Sequence, residues 1–138
     1  MKKILLSLIL LLMATPVFAQ AIGQPKSVAS VNGSVKITTG ATYQQILAAV
    51  TGAPGRQSVT IQNNNASDAC LIDPTGTVTV GSTTASTFTI GGVSLTAAQA
   101  SISLAAGQSY TRYYPLTPRD KITGTCNTTG SSLYVDTQ

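Results

Sequence analysis

The chain has 138 residues and a formal net charge of +4, and charged residues make up only 9% of it. Average domains are about 25% charged, and an amphipathic helical bundle needs charged outer faces, so this composition argues against a bundle. The few basic residues form no run, which argues against a nucleic-acid partner.

The first 19 residues have the pattern of a secretory signal peptide. Met1-Lys2-Lys3 is a short basic start, residues 4–13 are almost entirely apolar, and Val17-Phe18-Ala19 precedes the expected cut. The apolar run is about ten residues long, whereas a membrane-spanning helix needs about 20. We therefore expect an exported protein, periplasmic or secreted, that is cleaved after Ala19 and has no membrane span.

Residues 20–33 are predicted to form a loose N-terminal arm, in which Asn32-Gly33 is a turn signal. A first strand is predicted at 34–39. Residues 42–50 have apolar side chains at helical spacing, but the segment is short and uncapped. An extended strand and a single helical turn both remain open there.

The clearest strand pattern is at 58–62, where Val59 and Ile61 alternate with polar residues. Asn63-Asn64-Asn65 is predicted to end this strand, because Asn side chains bond their own backbone and tolerate turns. Residues 69–73 are predicted to return beside it as a hairpin partner.

Turn signals about every ten residues divide the rest of the chain into short strands. The predicted elements are strands at 77–80 and 87–90, a helical turn at 96–100, a hairpin of 101–104 and 109–114 with Ile102 and Leu104 inward, and strands at 121–126 and 132–137. The total of seven to nine strands predicts an all-β, single-domain antiparallel β-sandwich, jelly-roll-like, over residues 34–138.

Cys70 and Cys126 are the only cysteines. In an exported protein such a pair is typical of a disulfide, and both cysteines fall on the faces that carry Ile72 and Ile122. Two buried, unbridged cysteines are the alternative. A free-thiol count on the unfolded protein separates the two.

Catalysis is not expected, because the chain has no His and no Glu and therefore lacks the usual base of a nucleophilic triad. Asp68, Asp73 and Asp120 are interpreted as turn formers. No cofactor and no metal site are predicted, although calcium could in principle use Asp68 and Asp73 with Asn carbonyls. Arg56 and Arg119 are interpreted as partners of ordinary surface ion pairs.

Tyr110, Arg112 and Tyr114 alternate along one predicted strand, with Tyr113 on the opposite face. Aromatic and guanidinium groups in a row can stack on sugar rings or pack at a protein interface. They can equally form a packed ladder that covers the sheet. This row is the candidate contact face.

Four segments together resemble small phage and prophage virion-associated proteins of the head-decoration or tail-accessory type: ITTGATYQQILAAV, GRQSVTIQNNNASDACLIDPTG, SISLAAGQSYTRYYP and DKITGTCNTTGSSLYVDTQ. In that group an Arg precedes an apolar strand ending in IQN, and a terminal strand closes the module. The resemblance covers residues 37–138. It implies a β-sandwich that binds other virion subunits or a cell surface without catalysis. A secretion signal and a disulfide depart from the group's pattern and fit a bacterial or prophage-encoded exported protein.

Two functions are therefore predicted. The first is an exported structural or interaction module that docks to protein subunits or a cell surface and can self-associate. The second is an envelope or secreted protein that binds cell-surface glycan through Tyr110 and Tyr114.

Overall fold

The computed structural model describes residues 30–52 and 55–138. The predicted signal peptide and residues 20–29 of the predicted arm lie outside this part of the chain. The strands of the described residues are β1 (Val31–Lys36), β2 (Gln44–Leu47), β3 (Ser58–Asn63), β4 (Cys70–Asp73), β5 (Thr87–Ile90), β6 (Val93–Thr96), β7 (Ile102–Leu104), β8 (Ser109–Tyr113), β9 (Ile122–Cys126) and β10 (Ser132–Thr137). These residues include no helix long and apolar enough to cross a membrane.

The strands form two four-stranded antiparallel sheets, packed as a sandwich, and one separate hairpin. The first sheet has the order β1-β10-β3-β8, the second has the order β2-β9-β4-β7, and β5 pairs with β6. The main core lies between the two large sheets. The predicted all-β antiparallel sandwich is therefore confirmed.

Period-two burial is clearest in β3 and β10, which pair with each other. In both strands buried and half-buried residues alternate strictly. Val59, Ile61, Leu133 and Val135 point into the core and are at most 4% exposed. Apolar side chains on one face of each strand thus bury together, as the alternation predicts.

The second sheet is buried on both faces at β9, in which every residue is buried. A smaller apolar cluster of Tyr43, Val78 and Ala97 lies apart from the main core, with Phe88 packed against it. Thr123 belongs to the outer face of β9, and its hydroxyl donates to the Val78 carbonyl over 3.0 Å. The segment between β4 and β7, which contains the β5–β6 hairpin, therefore covers this face.

Two predicted hairpins are wrong, because the chain crosses from one sheet to the other at both places. β3 lies in the first sheet and β4 in the second; likewise β7 lies in the second sheet and β8 in the first. Asn63 holds the two crossings together: its backbone N–H donates to the Gln108 carbonyl and its carbonyl accepts from the Gly107 N–H. Leu104 is buried as predicted, whereas Ile102 is 37% exposed at the rim of the edge strand β7.

The segment after β4 is a turn instead of the predicted strand at 77–80. The Asp73 carboxylate accepts the Thr75 N–H over 2.9 Å and the Val78 N–H over 2.6 Å. Since these bonds curl the chain around one side chain, the N–H groups are not free for a strand ladder.

The remaining differences concern short segments. The ambiguous segment 42–50 contains strand β2, and Asn32-Gly33 lies inside β1 instead of forming a turn. β6 was not predicted. A single turn follows it, in which the Ala100 N–H donates to the Thr96 carbonyl over 2.9 Å.

Cys70 and Cys126 form a disulfide, as predicted. They occupy directly opposite positions of the neighbouring strands β4 and β9, and their Cα atoms are 4.0 Å apart. Both cysteines are part of the main core together with Ile72 and Ile122. A buried disulfide of this kind is typical of an oxidising, extracytoplasmic environment.

Candidate interaction surface

The three residues of the predicted contact face do not form one exposed row. Tyr110 is only 8% exposed and belongs to the main core. The Arg112 guanidinium lies over the Tyr110 ring, 4.8 Å from its centre. Burial raises the pKa of the Tyr110 hydroxyl, and the Arg112 charge partly opposes that shift. Tyr110 and Arg112 thus form a packed cation–π pair, as in the alternative interpretation of a ladder that covers the sheet. Tyr110 is not part of the exposed surface.

The exposed aromatic surface lies instead at the end of β8. Tyr113, Tyr114 and Leu116 are 71%, 67% and 75% exposed. The Leu116 N–H donates to the Tyr113 carbonyl over 2.9 Å, and the Tyr114–Pro115 bond is cis. These features define a tight turn with a cis proline. We call the three exposed side chains of this turn the β8-end cluster.

An open strand edge continues directly from this cluster. β8 is the outer strand of the first sheet and pairs on its inner side with β3. The Tyr114 N–H donates to the Gln57 carbonyl over 2.8 Å, and the Asn63 N–H donates to the Gln108 carbonyl over 2.9 Å. Antiparallel pairing alternates bonded and non-bonded residues, so the N–H groups of Ser109, Thr111 and Tyr113 face outward. The Thr111 carbonyl accepts from the Arg112 side chain over 3.1 Å, and the Tyr113 carbonyl accepts from Leu116. An added strand from a partner could pair with the outward N–H groups.

Arg56 holds the loop that follows the β8-end cluster. Its side chain is 3% exposed and donates to the carbonyls of Pro118, Asp120 and Ala48. In return, the Thr117 hydroxyl donates to the Arg56 carbonyl over 2.6 Å. Burial lowers the pKa of the guanidinium, and the charge of Asp120 partly opposes the shift. Buried N–H donors and carbonyl acceptors thus satisfy each other and fix the loop.

The predicted surface ion pairs of Arg56 and Arg119 are therefore not the contacts that these side chains make. Arg56 bonds backbone carbonyls, as described above, and Arg119 donates from Nη2 to the Gly52 carbonyl over 2.5 Å. The Arg119 side chain also lies against Gly55, where an added Cβ would be 3.4 Å from its Nε. Both arginines thus connect the segment before β3 to the loop after β8.

A network around Asn63 stabilises the two crossings between sheets. Asn63 is fully buried, and its side-chain amide donates to the carbonyls of Asp68 over 2.7 Å and Leu104 over 2.9 Å. The side-chain oxygen of Asn63 accepts from the Asn65 side chain. The Asn65 side chain also donates to the Ser132 carbonyl and accepts from the Ser132 N–H. The Asn65 amide lies 3.3 Å from the Cys70 sulfur. The network therefore joins β3, β4, β7 and β10.

Asn63→Asp is expected to lower the free energy of unfolding by about 2–3 kcal/mol. The substitution keeps the shape but removes the NH₂ donor, so a buried carboxylate oxygen would face two carbonyls. Urea unfolding measures the change. Asn64→Asp is the matched control, because the neighbouring Asn64 is exposed. Equal stability of the two variants would contradict the role assigned to the Asn63 amide.

The Asp73 carboxylate bonds its own turn, as the turn-former interpretation predicts, whereas the Asp68 carboxylate bonds the loop between β9 and β10. The Asp68 carboxylate accepts the Thr128 N–H over 2.9 Å and the Ser131 hydroxyl over 2.7 Å. Asp73 is fully buried and bonds the turn after β4, as described above. The two aspartates flank opposite ends of β4, so they do not combine into one ligand set for a cation.

A groove of about 480 Å³ lies beside the Arg56 loop and is lined by Ala49, Thr75, Gly76, Thr77, Asp120 and Lys121. Its polar groups are two threonine hydroxyls, one carboxylate and one ammonium group. The Thr75 and Thr77 hydroxyls bond each other over 2.9 Å. The lining therefore offers hydrogen-bond donors and acceptors and one group of each charge to a ligand.

Comparisons of the chain with protein-family models, with curated proteins and with solved structures find no match.

Proposed function

We propose that the protein is an exported, non-enzymatic structural or interaction module of the virion-accessory type. It docks to protein subunits or to a cell surface through the β8-end cluster and the adjoining edge of β8. The observation that carries this proposal is the exposure of three large side chains on a turn directly before the loop that buried Arg56 fixes.

The chemistry of this surface suits docking. Tyr side chains supply large contact area with few rotatable bonds and are enriched in interfaces. Since the Arg56 bonds fix the loop after the cluster, little further ordering is needed when a partner binds, and a preorganised surface loses less affinity to entropy. The open β8 edge adds backbone hydrogen-bonding groups beside the aromatic rings.

The disulfide supports export, because such bonds persist in oxidising compartments. Cleavage after Ala19 and association with virions belong to the same proposal. They follow from the N-terminal pattern and from the resemblance to virion accessory proteins.

The test is co-sedimentation with phage-like particles released by mitomycin C from the bacterium that carries the gene. Wild-type protein is expected to sediment with the particles. Tyr114→Ser combined with Leu116→Ser is expected to reduce the bound fraction about tenfold or more, since buried aromatic anchors contribute 2 kcal/mol or more to binding. Thermal unfolding shows whether the variant remains folded.

Val80→Ser is the matched control, because Val80 is also exposed, at 54%, but lies outside the β8-end cluster. It should leave co-sedimentation unchanged. Absence of wild-type protein from the particle fraction, or an equal loss with the Val80 variant, would reject the proposal.

The alternative function is binding of cell-surface glycan. The adjacent exposed rings of Tyr113 and Tyr114 favour it, because sugar rings stack on aromatic faces. A glycan array with wild-type protein tests it directly. Saturable binding that Tyr114→Ala abolishes would support the glycan function and would replace docking to virion subunits.

A further inference from the structure

The β5–β6 hairpin has two chemically different faces. Its strands pair in register as Phe88 with Leu95 and Ile90 with Val93, joined by the tight turn Gly91-Gly92. Because side chains alternate along a strand, these four apolar residues share one face. The hydroxyl residues share the other face: Thr87, Thr89, Ser94 and Thr96.

Within residues 30–52 and 55–138, the other residues cover only part of the apolar face. Phe88 packs against the smaller cluster of Tyr43, Val78 and Ala97, and the Ala97 N–H donates to the Ser86 carbonyl over 2.7 Å at the base of the hairpin. Toward the turn, Ile90 is 40% exposed and Val93 is 57% exposed. An apolar face that extends past its supporting body is typical of an interaction site.

The two edges of the hairpin also differ. On β6, the Thr96 N–H donates to the Gln99 side-chain oxygen over 2.9 Å, and the Thr96 hydroxyl donates to the same oxygen. On β5, the hydrogen bonds of the described residues include none for the outward N–H groups of Thr87 and Thr89. β5 therefore presents an open edge, whereas a side chain closes part of the β6 edge.

The charge distribution disfavours anionic partners and permits a second copy of the chain. Residues 74–111 contain no charged side chain, although natural proteins commonly protect open edges with Lys or another charge. Without Lys or Arg, the hairpin does not attract an anionic membrane surface or a nucleic acid. Two copies of an uncharged surface can meet without like-charge repulsion, even though each whole chain is positive.

We propose that β5 pairs with β5 of a second copy of this chain around a two-fold axis. The N–H and C=O groups of Thr87 then bond those of Thr89 in the other copy, and the reverse. The two hairpins form one four-stranded sheet, in which the exposed Ile90 and Val93 extend a common apolar face. This dimer uses a surface separate from the β8-end cluster and does not depend on the proposed docking function.

Sedimentation equilibrium from about 1 μM to 1 mM protein measures self-association over the range of small interfaces. Wild-type mature protein is expected to dimerise within it. Thr89→Pro removes an outward N–H and no bond to β6, so the hairpin is retained. It should weaken the dimer about tenfold or more, because two hydrogen bonds per dimer are lost.

Ser94→Pro is the matched control, because Ser94 lies directly opposite Thr89 in the hairpin but faces the β6 edge. It should dimerise like wild type, and so should the Tyr114→Ser and Leu116→Ser variant. Because Thr89 lies opposite Thr87 of the other copy, the double variant Thr87→Cys and Thr89→Cys should form a disulfide-linked dimer on mild oxidation, whereas Ser94→Cys should not.

Three results would overturn the proposal. One is a wild-type protein that is monomeric at every concentration. Another is an equal effect of the two proline variants. The third is binding of wild-type protein to phosphatidylcholine vesicles that Ile90→Ser abolishes, since the apolar face would then serve a lipid surface.

Discussion

Arg56→Ala is expected to lower the free energy of unfolding by about 3 kcal/mol or more, because each buried carbonyl that is left without a donor costs about 1–3 kcal/mol. The guanidinium is buried and donates to three backbone carbonyls from two segments. Without it, these carbonyls lose charge-assisted hydrogen bonds, which are stronger than neutral ones. Urea unfolding measures the change, and thermal unfolding should show a fall in Tm of roughly 10–20 °C.

Two variants separate this effect from a general loss of positive charge. Arg112→Ala should cost about 1 kcal/mol or less, because Arg112 is exposed and stacks on a single ring. Arg56→Lys keeps the charge but not the planar fork of donors, so its stability should lie between wild type and Arg56→Ala. A value for Arg56→Ala within 1 kcal/mol of wild type would show that the loop does not depend on this clamp.

The same residue connects stability to the proposed docking surface. Arg56 bonds the carbonyls of Pro118 and Asp120, which follow the exposed turn from Tyr113 to Leu116. Loss of these bonds frees the loop after the turn, so a partner would have to order it on binding. Arg56→Lys should therefore weaken binding to particles even where the protein remains folded.

For strands in which apolar and polar residues alternate strictly, the sequence predicted both the position of the strand and the face that points inward. Val59 and Ile61 in β3 and Leu133 and Val135 in β10 are buried, because each strand has one face on the core and one outside. Such a strand leaves a period-two pattern that a single sequence displays. β9 is buried on both faces, yet Ile122 and Cys126 still marked its core side.

Which strands pair could not be predicted in the same way. A strand, a polar loop and a second strand have the same sequence pattern in two cases: the second strand returns to the same sheet, or it crosses to the other sheet. The pattern therefore predicts a hairpin in both cases. Here the Asn63 amide bonds across the crossing, to the carbonyls of Asp68 and Leu104. The Leu104 contact joins residues far apart in the chain, so a local pattern does not reveal it.

The predicted row of Tyr110, Arg112 and Tyr114 is not one exposed row, although one of its members, Tyr114, is exposed. Alternation grouped Tyr110 with Tyr114, yet β8 ends at Tyr113, and the turn that follows breaks the period. Tyr110 is therefore buried while Tyr113 and Tyr114 are both exposed. Arg56 was missed as a loop clamp because a lone Arg before a strand resembles an ordinary surface residue. The alternation of apolar and polar residues does not reveal the role of Arg56 either, because its partners are backbone carbonyls.

Replacement of both Cys70 and Cys126 by Ala is expected to lower the free energy of unfolding by about 4 kcal/mol in the chain-entropy model. The cysteines are 56 residues apart in the chain, so the bond restricts a large loop of the unfolded state. Urea unfolding of the oxidised wild type and the double variant gives the difference. Because a small domain has only about 5–15 kcal/mol in total, this loss would leave the variant marginal at 37 °C.

Reduced wild-type protein separates the contribution of the covalent bond from that of packing. It keeps both side chains in the core, where Cys70 is fully buried and Cys126 is 1% exposed, but it lacks the cross-link. The chain-entropy account predicts that reduction alone causes most of the loss, and the further loss in the double Ala variant measures the small cavity left between β4 and β9. Unchanged stability on reduction, or thiols that react in denatured but unreduced protein, would contradict a stabilising disulfide.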